Sequence, residues 1–229
     1  MAIKVSNTSD VSMHHIFMLI VGASGVGKTT LAGTLNPENT VIVSAESGLL
    51  SLRSKNIEVW NVENKTDLID VFNEIIGGRK LSNGNEIKNI VLDSLTEIGE
   101  IIFSELKPDF SKSQKFGLYE LYGEKIIGLI KALRDEEKYN FFMTALDKDM
   151  GEGVIGIDLI QKSLSKKMPQ YFDIVAHYCT MEHEGETLRK LVTDNAISGF
   201  CKDRSGALDS HEEPDLNKIL NKIFKPGEK

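Results

Sequence analysis

Cysteine is scarce in this chain: Cys179 and Cys201 are the only two among 229 residues. So few thiols exclude a disulfide-stapled framework, and a chain of this length buries enough apolar surface to hold itself without staples or metals. The two read as small buried hydrophobes in strand-like segments of a protein kept in a reducing compartment, with one disulfide as the alternative. Long apolar runs are missing too. None approaches the roughly 18 residues of a membrane span, and the first residues lack the basic start and cleavage site of a secretion signal. A cytoplasmic protein with no membrane partner is expected. Positive charge is also short: 27 Lys and Arg stand against 34 Asp and Glu, for a net charge of −7. That excludes a surface broadly adhesive for nucleic acid, so any DNA site has to be local. Arginine is thinnest of all, occurring only as Arg53, Arg79, Arg134, Arg189 and Arg204 with no cluster. Small-molecule kinases usually close an Arg-rich lid over their phosphates, and this scatter argues against one.

What the chain does have is concentrated in "MLIVGASGVGKTTLAGTL", Met18 to Leu35. Gly22, Gly25, Gly27, Lys28 and Thr29 satisfy the spacing G-x-x-x-x-G-K-[ST] directly after the apolar run Ile16–Val21. Glycines let the backbone of Gly22, Ala23, Ser24, Gly25, Val26 and Gly27 turn its N–H groups inward around phosphates. Lys28 adds a point charge, the Thr29 hydroxyl is a ligand for Mg²⁺, and Thr30 is counted with them as nucleotide-binding. ATP and Mg²⁺ are the expected ligands.

Apolar runs alternate with helical stretches along the chain. Strands are expected at Ile16–Val21, Thr40–Ala45, Ile57–Val62, Ile87–Asp93, Tyr139–Leu146, Ile174–Met181 and Thr187–Thr193. Helices are expected from Lys28, over Thr66–Ile76, near Leu95–Leu106 and near Leu118–Arg134, the last with a core stripe of Leu118, Tyr122, Ile126, Leu129, Ile130 and Leu133. This is an α/β pattern, a mostly parallel sheet flanked by helices, with "HEGE" (His183 to Glu186) turning an antiparallel hairpin near the C-terminus. Residues 1–15 read as an N-terminal arm, 16–210 as one ATPase domain and 211–229 as a C-terminal helix and tail.

A second acid is needed to choose among phosphate-binding classes. "IKNIVLDSL" is an apolar strand ending in Asp93, placed to hold Mg²⁺ through water; a helix N-cap is the competing reading. Ser94 stands where many such ATPases have a catalytic Glu. Glu46, closing "TVIVSAE" at the ligand-binding edge of the sheet, is the candidate to activate water, against a plain cap of a helix begun by Ser47. "NKTD", Asn64 to Asp67, matches a guanine-selecting string but precedes the magnesium strand, so chance accounts for it better.

The order "GASGVGKTT", "VIVSAES", "IVLDSLTEI", "YNFFMTAL" resembles the RecA-like P-loop NTPase core, in which the catalytic Glu follows a strand neighbouring the one that ends in the magnesium Asp. The compact form is similar to phage nucleotide-binding proteins of AAA type, some of them single-strand-annealing recombinases. "GFCKDRSGAL" is similar to the Lys-x-Arg-x-Gly segment of hexameric RecA-like helicases. That resemblance implies that Lys202 and Arg204 act on the nucleotide of a neighbouring subunit in a head-to-tail homo-oligomer; a solvated Lys-Asp-Arg turn is the alternative. Two segments lie where RecA-type proteins place DNA-contacting loops. They are "KPDFSKSQKFG", with Lys107, Lys112, Lys115, Phe110 and Phe116, and Asp147 to Gln170, with Lys162, Lys166 and Lys167. Asp109, Asp147, Asp149 and Glu152 dilute their charge. Where the family closes a strand with Gln, this chain has Thr144, whose hydroxyl is a shorter sensor of a γ-phosphate. The expected function is a Mg·ATP-dependent ATPase acting on single-stranded DNA in phage-type recombination or annealing, with a single-strand-binding protein as a further partner. A small-molecule P-loop kinase and a non-catalytic ATP-binding adaptor are the rivals.

Overall fold

Runs of five or six apolar residues with no polar alternation, bounded by turn residues, suit strands covered on both faces. In the computed structural model they form the interior of one sheet, and the structure describes residues 13–46, 48–151, 155–183 and 185–224. β1 (Phe17–Gly22), β2 (Thr40–Ser44) and β4 (Asn89–Asp93) are buried at every position. β3 (Glu58–Asn61) borders β2 and is half-buried. With β5 (Asn140–Asp149) and β7 (Ile174–His183) they run parallel in the order β3-β2-β4-β5-β1-β7. β8 (Glu186–Val192) returns antiparallel to β7, and β10 (His211–Glu212) follows antiparallel to β8. Two short antiparallel strands, β6 (Ile155–Ile157) on β5 and β9 (Lys202–Asp203) on β7, complete it. The fold is therefore the expected one, a mostly parallel α/β sheet with an antiparallel hairpin near the C-terminus.

Helices cover both faces. α2 (Lys65–Gly77), α3 (Leu95–Leu106) and α4 (Lys115–Arg134) seal one core, where five of the six stripe residues are buried and Leu129 is half-buried. α1 (Lys28–Ala32) and α7 (Leu216–Phe224) seal the other. α7 is more than a tail: Leu216, Ile219 and Ile223 are buried, and its first turn bonds to Thr34 just beyond α1. With β10 in the sheet, residues 211–224 continue the same body that residues 16–210 form. Residues 1–12 of the expected arm, the 225–229 tail, Ser47, Glu152 and the Glu184 position of the hairpin turn lie outside the described residues. The "NKTD" string has its own account, because the Asn64 side chain accepts from the N–H groups of Thr66 and Asp67 and caps α2.

Three expectations change. Cys201 precedes β9 rather than lying in a strand, although it is buried as foreseen; both cysteines are free, and burial pushes the Cys201 thiol up to about 11. The first supposed DNA loop is largely helical: 3-10 turns at Lys107–Asp109 and Lys112–Gln114 lead straight into α4, because Ser111 and Gln114 close a capping box. The second is not an open loop either, since β5 runs on to Asp149, pairs with β6, and is followed by α5 (Lys162–Lys167). Lys162, Lys166 and Lys167 are exposed on α5, while Leu164 and Ser165 face inward.

Candidate active site

The chain leaves β1 for β2 across two intervening strands, β5 and β4, which opens a crevice at the carboxyl ends of the strands. Gly22 ends β1 there. A Cβ on Gly22 would lie 2.3 Å from the Tyr178 carbonyl oxygen of β7, so main chains meet at this point and only glycine fits. The loop then rises through exposed Ala23, Ser24 and Gly25 and drops back at buried Val26. Gly25 (φ 76°) and Gly27 (φ 109°) hold the left-handed backbone that the turn requires.

Lys28 folds its ammonium back under this loop, donating to the carbonyls of Gly22 (2.8 Å) and Ala23 (2.9 Å). Burial lowers its pKa, and the carboxylates of Glu46, Asp93 and Asp147 oppose that shift. The site therefore holds one buried cation within electrostatic reach of three carboxylates but bonded to none of them, so a polyphosphate can take over the ammonium from the loop carbonyls.

Thr29 donates to Asp93 Oδ2 at 2.7 Å, and Thr144 donates to Asp93 Oδ1 at 2.5 Å. Asp93 is only 2% exposed, so both carboxylate oxygens are fixed by hydroxyls within the protein. A hydroxyl and one carboxylate, both hard oxygen donors beside a phosphate cradle, suit Mg²⁺, which keeps several waters and takes few protein ligands. Among the described residues no cluster of three or more His, Cys, Asp or Glu is arranged to enclose a metal. Thr144 is 1% exposed and its hydroxyl, expected as a sensor of the γ-phosphate, donates to Asp93 and orients that carboxylate.

Ser44 and Asp93 are register partners on β2 and β4, which brings Glu46 beside the end of β4. The Ala45 N–H donates to the Asp93 carbonyl (2.8 Å), Ser44 Oγ to the Glu46 carbonyl (2.6 Å), and Ser94 Oγ to Glu46 Oε1 (2.5 Å). Glu46 thus stands near Lys28 with one carboxylate oxygen held by the hydroxyl that follows Asp93. The cap before α3 is Ser94 and not Asp93, through the Glu97 N–H. Burial and the nearby Glu46 and Glu100 raise the Glu97 carboxyl above its ordinary pKa.

Lys202 and Arg204 do not join this constellation. Lys202 pairs in register with Val175, and the Arg204 N–H bonds to the Asp173 carbonyl, both near the start of β7. Since Met18 is level with Ile174, Arg204 lies four or five residues down the strands from Gly22, roughly 15 Å at the usual rise. Its guanidinium meets Asp173 Oδ1 (3.4 Å) and the Gln170 carbonyl (3.3 Å). Burial and the neighbouring Arg204 charge bring the Lys202 pKa down to about 8.

Further residues gather around the cradle, most of them without any motif to announce them. His177, on β7 beside Val21, has Nε2 3.6 Å from Asp147 Oδ2 and Nδ1 3.3 Å from Ser198 Oγ. Ser198 ends the short helix α6 (Asn195–Ser198). On the other face of the hairpin, Arg189 Nε donates to the Val26 carbonyl at 3.0 Å, with buried Tyr178 beside it. Of these only Asp147, which directly follows the apolar part of β5, carries a signal in the sequence, where its surroundings suggest a loop.

The model of the AAA domain family matches residues 14–205 of this chain. No curated protein matches it. Among solved structures, the crystal structure of a KaiC-like protein from the hyperthermophilic archaeon Pyrococcus horikoshii OT3 covers 77% of this chain and 77% of its own, at 16% identity and a TM-score of 0.48. No helix among the described residues is long and apolar enough to cross a membrane.

Proposed function

The chain belongs to the AAA domain family, and from that premise we propose that this P-loop ATPase domain hydrolyses Mg·ATP and acts on single-stranded DNA in phage-type recombination or annealing. The observation that carries hydrolysis is the Thr29–Asp93–Thr144 hydroxyl chain with Ser94-tethered Glu46 beside it. The Thr29 hydroxyl and, through water, Asp93 would hold Mg²⁺, whose charge offsets that developing on the phosphates. Lys28 leaves the Gly22 and Ala23 carbonyls for the β- and γ-phosphates. Glu46 takes the proton of the attacking water.

The DNA part rests on exposed aromatic and cationic groups. Phe116 is 82% exposed at the start of α4, beside exposed Lys115 and one turn before Tyr119, a platform on which unpaired bases stack. The exposed lysines of α5 add local positive charge to an acidic chain. Because Arg204 is remote from its own cradle, a finger role requires a neighbouring subunit in head-to-tail contact.

ATP turnover measured with and without single-stranded DNA tests this reading. DNA-stimulated release of phosphate is expected. Transfer to a small acceptor would make the protein a kinase, and tight ATP binding with neither activity would make it an adaptor. For the composite site, mixing Arg204→Ala and Lys28→Ala chains should give more activity than the sum of the two alone. A simple sum despite demonstrated subunit exchange removes Arg204 from the mechanism.

A further inference from the structure

Two ends of the cradle are chemically distinct. Of the carboxylates whose charge bears on Lys28, Glu46 and Asp93 follow β2 and end β4 and so lie to one side of β1, while Asp147 of β5 reaches across to His177 on β7. Glu46 and Asp93 mark the end where terminal phosphates and Mg²⁺ belong. Terminal phosphates seated at that end leave the other side of β1, toward β7 and β8, for the nucleoside.

Arg189 stands on that side. Tyr178 and Leu191 are cross-strand partners packed in the same core as Val26 and Leu31, and Thr180 and Arg189 are the next pair on that face. The guanidinium touches the loop itself: Nε donates to the Val26 carbonyl at 3.0 Å. A Cβ on Gly27 would lie 3.5 Å from the Tyr178 hydroxyl oxygen and 3.9 Å from Arg189 Nε, so both side chains close against the loop at the residue before Lys28. Arg79, Arg134 and Arg204 each pair with a carboxylate, whereas no carboxylate among the described residues pairs with Arg189. Its charge is exposed and is not among those that shift Lys28.

We propose that Arg189 is the nucleoside-side wall of the site: one edge of its guanidinium braces the loop at Val26, and its planar face and outer N–H groups receive the base and ribose of a nucleoside triphosphate. Arginine suits this place because the fork can bond a main-chain carbonyl while its flat face stacks on an aromatic ring; lysine has neither fork nor plane. This rests on the ATP-binding reading above and adds to it where the nucleoside sits.

The test is calorimetric binding of Mg·ATP and of inorganic Mg·tripolyphosphate to wild type, Arg189→Ala, Arg189→Lys and Lys28→Ala. Arg189→Ala should weaken ATP by roughly 3- to 30-fold more than it weakens tripolyphosphate, the span of a guanidinium–ring contact, the tripolyphosphate loss reading the loop brace alone. Arg189→Lys should behave like Arg189→Ala, and is read in its place if the alanine chain does not fold. Equal weakening of both ligands would reduce Arg189 to a loop brace and overturn the proposal, as would unchanged ATP affinity. Lys28→Ala should lose both ligands. Wild-type binding of both by that variant would sink the cradle itself, a result separable from failure of Arg189 alone.

Discussion

Thr144→Val isolates the hydroxyl that holds the magnesium carboxylate. Thr144 is 1% exposed and Asp93 2% exposed, so no water is at hand to replace the 2.5 Å bond between them. Valine nearly copies the shape of threonine, so the main change is the loss of a hydrogen bond to a charged group, about 1.5–3 kcal/mol. For a domain of this size each kcal/mol shifts melting by about 2–4 °C, so a loss near 2 kcal/mol lowers the midpoint by roughly 4–8 °C. Function should fall with stability, because Asp93 Oδ1 is freed while Thr29 alone holds Oδ2. Losses of such supporting contacts typically cost about 10- to 100-fold in metal affinity. Thermal unfolding and the Mg²⁺ dependence of ATP binding are the assays, with Thr144→Ser as the variant that restores both. A valine chain that melts with wild type and binds Mg·ATP at unchanged Mg²⁺ would refute the argument that this hydroxyl positions Asp93.

Glu46→Gln keeps an oxygen to accept the Ser94 hydroxyl, so nucleotide binding should persist while turnover drops by roughly 10²–10⁴; wild-type turnover would move the base to Asp93 or Glu97. Gly22→Ala drives a Cβ to 2.3 Å from the Tyr178 carbonyl, and an overpacking cost of about 1–3 kcal/mol or more should appear as a lowered melting temperature with weakened ATP binding. Lys202 titrates near 8 in the folded chain against an ordinary 10.5, so between those values the unfolded chain binds more protons and stability should rise with pH. Its destabilising contribution is fully present below about pH 8, and Lys202→Met should flatten the slope of melting temperature against pH in that window.

Much of this was readable along the chain because its causes are local. A glycine turn with Lys-Thr needs no partner to be recognised, since backbone conformation and phosphate chemistry both act within eight residues. Continuous apolar runs declare interior strands, and those for β1, β2, β4 and β7 fell within about two residues of the observed ends. The Leu95–Leu106 helix was read to its limits, because Ser94 is a local cap. The two supposed loops misled, since many polar residues in sequence look like loop. Only pairing tells otherwise: Asp147 to Asp149 are carried on as strand by β6, and Ser111 with Gln114 turns the other segment into a helix start.

The sequence by itself determined the cradle, the identity of Asp93 and Glu46 as the acids closing neighbouring strands, and the α/β class. Those follow from spacing and from where apolar runs stop. Tertiary structure alone decided what each polar atom bonds to. It spent the Thr144 hydroxyl on Asp93, tied Glu46 to Ser94, set Arg204 against Asp173 at the end of β7 away from the cradle, and brought Arg189 from 163 positions away onto the loop at Val26. No periodicity encodes such contacts, because they depend on which strands become neighbours and in what register, and that order is settled by burying both faces of the sheet at once.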